Sequence, residues 1–289
     1  MDVRMNPFFF IQLADPQFGM FARWGGVSNE VIEAQLSRGF KIRKAPSITG
    51  FKDETRLFTE AISEANRLRP AFVVVCGDMV NNPVSEDERA EVLRIARKLH
   101  PNIPIHWVPG NHDAAADFVS ATPESLRIYR EAFGPDYFAF QHGGASFIVL
   151  DSITIENPTP VPGEWEAQLA FVETELAAAR FRGGPVIAFS HHPAFLKTPD
   201  EPNDYWNWPL ERREPLLRML RDANASAIFS GHWHRNNYSS YGDMQVVASG
   251  PVGYPLGDDP SGYRIVKVHA DRVEHDYYAF GDGPSKVEL

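Results

Sequence analysis

Apolar runs too short to be helices punctuate this chain, and segments of helical period lie between them. Residues 8–14, 72–76, 103–108, 147–150, 186–190 and 227–230 read as strands. Residues 53–68, 86–99, 164–179 and 211–220 carry apolar side chains at helical spacing, as in Leu57, Ala61, Ile62 and Ala65. Such alternation is the pattern of βαβ units on a mainly parallel sheet. The last third differs. Residues 245–249, 263–269 and 273–280 read as short strands joined by turns, which predicts a second, antiparallel or mixed sheet packed on the first. No repeat, low-complexity tract or linker interrupts the chain, so residues 1–289 are read as one domain. Two long irregular stretches, 18–50 and 193–209, have a length that is usually functional inside a compact domain.

The chemistry gathers where the runs end. Pro16 cannot continue a central strand, so Asp15 stands at a strand's C-terminal end, with Gln17 two residues on. The second run delivers Gly77 and Asp78, and the third Gly110-Asn111-His112-Asp113. "VIAFS" is followed by His191 and His192, and "AIFS" by Gly231, His232, Trp233 and His234. Strand carboxyl ends form the ligand crevice of open α/β sheets, so these groups are expected to converge. The set is hard oxygen plus imidazole without thiolate, which suits Mn, Fe, Zn or Mg. It is larger than one ion needs. It suits two ions ~3.5–4 Å apart, clamping both sides of an in-line displacement.

Composition narrows the partners. The chain has 28 Lys and Arg against 38 Asp and Glu, a formal charge of −10, and no basic stripe. Nucleic acid is therefore disfavoured, because phosphate contacts need cations. No stretch approaches the ~20 apolar residues of a membrane span, and the N-terminus lacks a secretory apolar region. The single cysteine, Cys76, lies inside an apolar run, which excludes a disulfide framework, marks it as a core residue and suits a cytoplasmic location.

The order D-x-Q, GDxxN, GNHD, SHHP, GHxH resembles the calcineurin-like metallophosphoesterase superfamily, whose usual motifs are DxH, GDxx(D/N), GNH(D/E), H and GHxH. The match runs from Asp15 to His234, with the later strands as the expected second sheet. "LADPQFG", "GDMVN", "DYWNWP", "GHWHRN" and "PLGDDPSGYRIVKV" resemble more narrowly the branch of calcineurin-like phosphoesterase domain-containing protein 1, whose animal members are described as serine/threonine protein phosphatases. The resemblance implies a four-layer αββα sandwich, two mixed sheets flanked by helices. It implies two divalent metal ions, with Asp15, Gln17 and His234 on the first, Asn111, His191 and His232 on the second, and Asp78 bridging both. It further implies that a metal-bridging hydroxide attacks phosphorus. His112 matches the histidine that stabilises the transition state or protonates the leaving oxygen.

Two positions depart from the family pattern. Gln17 stands where His is usual; its carbonyl is a neutral, harder and weaker donor, which favours Mn or Mg over Zn. Asn81-Asn82 replaces the Asp-Arg pair of phosphoprotein phosphatases, so His112 lacks a carboxylate orienter and phosphate must be gripped elsewhere. Arg235 is the first candidate and Arg23 the second. Trp206 and Trp208 are read either as substrate wall or as loop packing. His192, His100, His106, His142 and His269 are read as non-ligands, and Asp113 as a support of its turn. The expected activity is phosphomonoester hydrolysis, with phosphoserine and phosphothreonine of proteins as one substrate class. The D-x-Q variant and the aromatic loop keep open a phosphodiesterase or nucleotide pyrophosphatase. A non-catalytic scaffold is the third reading, which retention of every ligand position argues against.

Overall fold

A computed structural model describes residues 5–115 and 119–289. The strands are β1 Phe8–Leu13, β2 Val73–Cys76, β3 Ile105–Val108, β4 Phe138–His142, β5 Ala145–Val149, β6 Val186–Phe189, β7 Ala225–Ser230, β8 Asn237–Tyr241, β9 Met244–Ala248, β10 Gly262–Val268 and β11 Val273–Ala279. Among the described residues they form two sheets, ordered β11-β10-β1-β2-β3 and β4-β5-β6-β7-β9-β8. Each mixes parallel and antiparallel pairs: β1, β2 and β3 run parallel while β10 is antiparallel to β1. The chains of β5, β6, β7 and β9 run parallel, edged by antiparallel β4 and β8.

Side-chain alternation sorts each strand between two cores. Val74 and Cys76 of β2 face the other sheet, together with Phe10, Phe147, Ile187, Phe189 and Phe229. Val73 and Val75 face outward onto the helix Lys52–Leu68, through Leu57, Phe58 and Ala61. On the far side, Ile148, Ala188 and Ile228 meet the helices Glu164–Arg182 and Leu210–Asp222, through Val172, Leu176 and Leu217. The result is helix, sheet, sheet, helix: the four-layer αββα sandwich.

The later strands do not make the second sheet. β9 joins β7, while β10 and β11 extend the first sheet beyond β1. Val266 and Val268 of β10 share the inter-sheet face with Phe8 and Phe10, so this pairing keeps one apolar face continuous. The early strands are also divided, between β3 and β5, and the strand ends that carry the expected ligands belong to two facing sheets. An apolar strand must be covered on both faces, and helices or a second sheet do this equally well. Residues 18–50 are less irregular than the sequence suggests. They hold the helices Met20–Trp24 and Asn29–Leu36. Their Met20, Trp24, Phe40 and Ile42 pack with Trp206, Tyr254 and Leu256 into a separate apolar cap. The helix Pro123–Phe133 was likewise not anticipated.

Phe10 is fully buried, stacked on Phe72 at 4.7 Å and edge-on to Phe147, Phe189 and Phe229 at 5.6–6.0 Å. Phe10→Ala should therefore lower unfolding free energy by about 3–5 kcal/mol, read from the midpoint of a urea transition. A loss below about 1 kcal/mol would mean that the two sheets do not depend on this layer.

Candidate metal centre

Past the end of β1 and β2 the backbone stays paired without staying regular. Asp15 N donates to Gly77 O, Gln17 N to Asp78 O and Phe18 N to Met79 O, at 3.1, 2.8 and 3.1 Å. Asp15, Gln17, Asp78, His232 and His234 all adopt positive φ, between 35° and 64°. Among the described residues only Arg69 and Asn224 join them outside glycine. Each such residue costs about 1–3 kcal/mol, and the strain turns five polar side chains toward one place.

Two glycines let the loops close. A Cβ on Gly77, itself at φ +82°, would lie 2.2 Å from His191 Nδ1. A Cβ on Gly110 would lie 2.1 Å from Asp78 N and 2.2 Å from its Oδ1. Asp113 locks these loops together, accepting from Gly110 N, Met79 N and Val80 N at 2.8–3.2 Å. Its support thus reaches beyond its own turn.

The structure brings all seven expected ligand positions together. Asp15, Gln17, Asp78, Asn111, His191, His232 and His234 are buried, none more than 6% exposed. Two groups of potential ligand atoms lie within 4.8 Å of one another, Asp78–His191–His232 and Asp15–Asp78–His234, and Asp78 belongs to both.

Three main-chain carbonyls fix which imidazole nitrogen carries hydrogen. A carbonyl can only accept, so the ring atom beside it must donate. His191 Nδ1 donates to Cys76 O at 2.8 Å, His232 Nε2 to Tyr205 O at 2.9 Å and His234 Nδ1 to Tyr254 O at 2.6 Å. In the neutral rings the other nitrogens present lone pairs. His191 Nε2 then faces His232 Nδ1 at 3.2 Å, Asn111 Oδ1 at 3.1 Å and Asp78 Oδ1 at 3.3 Å. His234 Nε2 faces Asp15 Oδ1 at 3.3 Å, and the buried carbonyl Gln17 Oε1 has no hydrogen-bond partner among the described residues. Acceptors facing acceptors in a buried space fit a cation between them.

Electrostatics agree with this. Burial works against the charge of Asp78, yet His191 and His112 hold its carboxyl below the usual carboxylate range. Burial also opposes charge on His191, but Asp78 outweighs it and lifts the ring to about 9. The pull that would hold a proton there is equally available to a metal ion. Burial, with the neighbouring His192 and His191, pushes His232 far down, so that ring stays neutral.

The chain belongs to the calcineurin-like phosphoesterase family. The family's sequence model, described as calcineurin-like phosphoesterase, matches residues 13–236. The chain is 34% identical over 287 residues to the human serine/threonine-protein phosphatase CPPED1, covering 96% of this chain and 85% of that protein. A cAMP/cGMP dual specificity phosphodiesterase, MT0825 of Mycobacterium tuberculosis, is 26% identical over 250 residues, 78% of this chain and 71% of that one. A dimetal phosphatase from Danio rerio has the same fold, with TM-score 0.58 and 17% identity over 95% of this chain and all of that structure. Family membership makes phosphoester hydrolysis the chemistry of this site.

Other expected residues fall differently. His112 lines the space in front of the ligand groups, with Arg23, Trp24, Phe40 and Trp206. Its orienter is the main-chain carbonyl of Asn81, 2.9 Å from His112 Nδ1, rather than a carboxylate. The Asn81 side chain instead meets Gln17 Nε2 at 3.5 Å and Arg23 at 3.4 Å. Arg235 stacks on Trp233 at 4.2 Å and donates to Leu256 O at 2.9 Å and to Gly39 O, tying down the cap. Trp208 is fully buried, its indole bonded to His192 O at 2.9 Å, and packs the loop. His192 bonds Ser152 Oγ at 2.9 Å. Sequence reasoning missed the three carbonyls, which carry no side-chain signal. It also missed Glu88, whose Oε2 accepts from Asn81 N and Asn82 N at 2.9 and 2.8 Å.

Gly77→Ala should sharply weaken divalent-metal binding by folded protein, because the new methyl displaces His191. Titration with Mn²⁺ in a calorimeter, beside circular dichroism to confirm folding, reads the effect. Wild-type affinity in a folded variant would separate His191 from metal binding.

Proposed function

We propose that this protein is a dinuclear metal-dependent phosphatase acting on phosphate monoesters. The observation that carries the reading is the pair of buried donor groups sharing Asp78. Asp15, Gln17, Asp78 and His234 would hold one cation, and Asp78, Asn111, His191 and His232 the other. A carboxylate common to both offsets the repulsion between two cations. Oxygen and imidazole donors suit Mn, Fe, Zn or Mg, and the neutral amide of Gln17 favours Mn. When bound, such ions supply Lewis acidity and bring the pKa of water toward neutrality.

The chain's own residues do the rest. Arg23, in the front space, is the proposed cation for the phosphate oxygens; Arg235 is committed to carbonyls. His112, oriented by Asn81 O, would give a proton to the leaving oxygen. Phosphoserine and phosphothreonine proteins are one substrate class, supported by likeness to CPPED1. Phosphodiester hydrolysis is the second reading, supported by the likeness to MT0825. Against it, Trp206 is only 5% exposed and packed on Phe40 at 4.8 Å, so it offers no open face for a nucleobase. A cytosolic location belongs to the same proposal, supported by the single cysteine of the sequence, which gives no disulfide framework. Among the described residues no helix is long and apolar enough to cross a membrane.

Purified protein should bind two Mn²⁺ per chain and hydrolyse p-nitrophenyl phosphate faster than its bis ester. A chelator should abolish turnover, and added Mn²⁺ restore it. One metal per chain at saturation would end the dinuclear reading, and faster bis-ester turnover the monoester preference.

His112→Ala should lower kcat by ~10²–10⁴ with metal content intact. The loss should be smaller for p-nitrophenyl phosphate than for an alkyl phosphate, since a good leaving group needs little protonation. Equal losses would assign His112 to charge stabilisation instead.

A further inference from the structure

A cavity of about 580 Å³ opens beside the candidate metal centre, and its lining includes Asn111, His192, Tyr205, Asp204 and Glu156. It is far larger than a phosphoryl group. Tyr205 lines both this cavity and the front space where His112 and Asp78 lie, so the two adjoin. Asn111 joins the cavity to the centre. Its Oδ1 turns to His191, while its Nδ2, buried with the side chain, has no hydrogen-bond partner among the described residues. That N–H pair is a donor held ready for an oxygen entering from the cavity.

The charge of the wall is one-sided. Among the described residues lining the cavity, Glu156 and Asp204 are charged, and no Lys or Arg is present. Arg212 stands behind Glu156 and offsets part of its charge, but it does not line the cavity, and its guanidinium also bonds the carbonyls of Ile155 and Glu156 and the carboxylate of Glu211. Asp204 Oδ1 accepts from Tyr205 N at 2.7 Å, which holds the side chain in place.

We infer that this cavity receives the leaving group of the substrate and selects phosphate monoesters whose alcohol carries positive charge. The inference rests on the phosphatase reading above and deepens it. A second phosphate, as in a nucleoside diphosphate, would enter an acidic pocket and be repelled. A lysine or arginine flanking a phosphoserine, or the ammonium of a small amino alcohol, would be attracted. Both sources present a cation on the leaving-group side of the ester oxygen.

The test compares kcat/KM within matched pairs of substrates. One pair is two phosphoserine peptides of equal length, flanked by Lys or by Glu; the other is 2-aminoethyl phosphate against glycerol phosphate. Partly exposed charges favour the cationic member by roughly five-fold, less at high salt. Asp204→Asn with Glu156→Gln should bring the ratio to within about two-fold of one. Asn at 204 keeps the bond to Tyr205 N, and a general loss of activity cancels in a ratio. A preference confined to the peptides assigns the cavity to proteins, and one confined to the small pair assigns it to amino alcohols; either supports the charge assignment. Wild-type ratios near one, or a preference that survives both substitutions, would overturn it while p-nitrophenyl phosphate is still hydrolysed. Failure of the metal-loaded wild type to hydrolyse p-nitrophenyl phosphate would sink both readings.

Discussion

Three hydrogen bonds from imidazole to main-chain carbonyl organise this protein's site. Cys76 O, Tyr205 O and Tyr254 O each take one ring proton, from His191, His232 and His234. Each bond sets a ring plane and turns the second nitrogen inward, where the neutral ring presents a lone pair. The carbonyls come from the end of a strand in the first sheet, the 193–209 loop and the segment before β10. The site is therefore assembled only when both sheets and the cap are in place. The buried Asp78 then serves two groups at once, held charged by the histidines around it.

Such an arrangement is costly to build. Five of the expected ligand positions sit at positive φ, and nitrogen atoms of facing imidazoles lie within about van der Waals distance. The rigid part of the molecule offsets this. Stacked and edge-on aromatic rings fill the space between the sheets beneath the site, from Phe10 and Phe72 to Phe147 and Phe189. Close-packed interiors transmit strain rather than absorb it. A loop anchored at the top of that layer keeps a strained backbone that a free loop would relax.

The departures from the family pattern form one connected patch. Asn81 gives its carbonyl to His112 and its side-chain oxygen to Gln17 and Arg23. One residue thus touches the proposed acid, the unusual ligand position and the cation at the mouth. Glu88 holds the backbone of Asn81 and Asn82 from behind. The carboxylate that orients the histidine in phosphoprotein phosphatases is replaced here by main chain, which needs no particular side chain.

The sequence by itself determined the fold class, nine of the eleven strands described, all but β4 and β8, and the donor types. Period-2 and helical patterns exposed most elements, and five of the six early apolar runs led into residues that the structure brings to the centre. It misplaced the later strands, because Val266 and Val268 alternate as they would in any sheet, and only the mate decides which sheet they join. It overestimated Arg235, since nothing in "GHWHRN" shows that Leu256 O and Gly39 O lie within reach. It could not show the three carbonyls, the shared position of Asp78 or the acidic cavity beside Asn111. Those depend on segments 20 to 115 residues apart in the chain being brought within hydrogen-bond distance. Local pattern fixes what a residue offers, and long-range packing alone fixes what it meets.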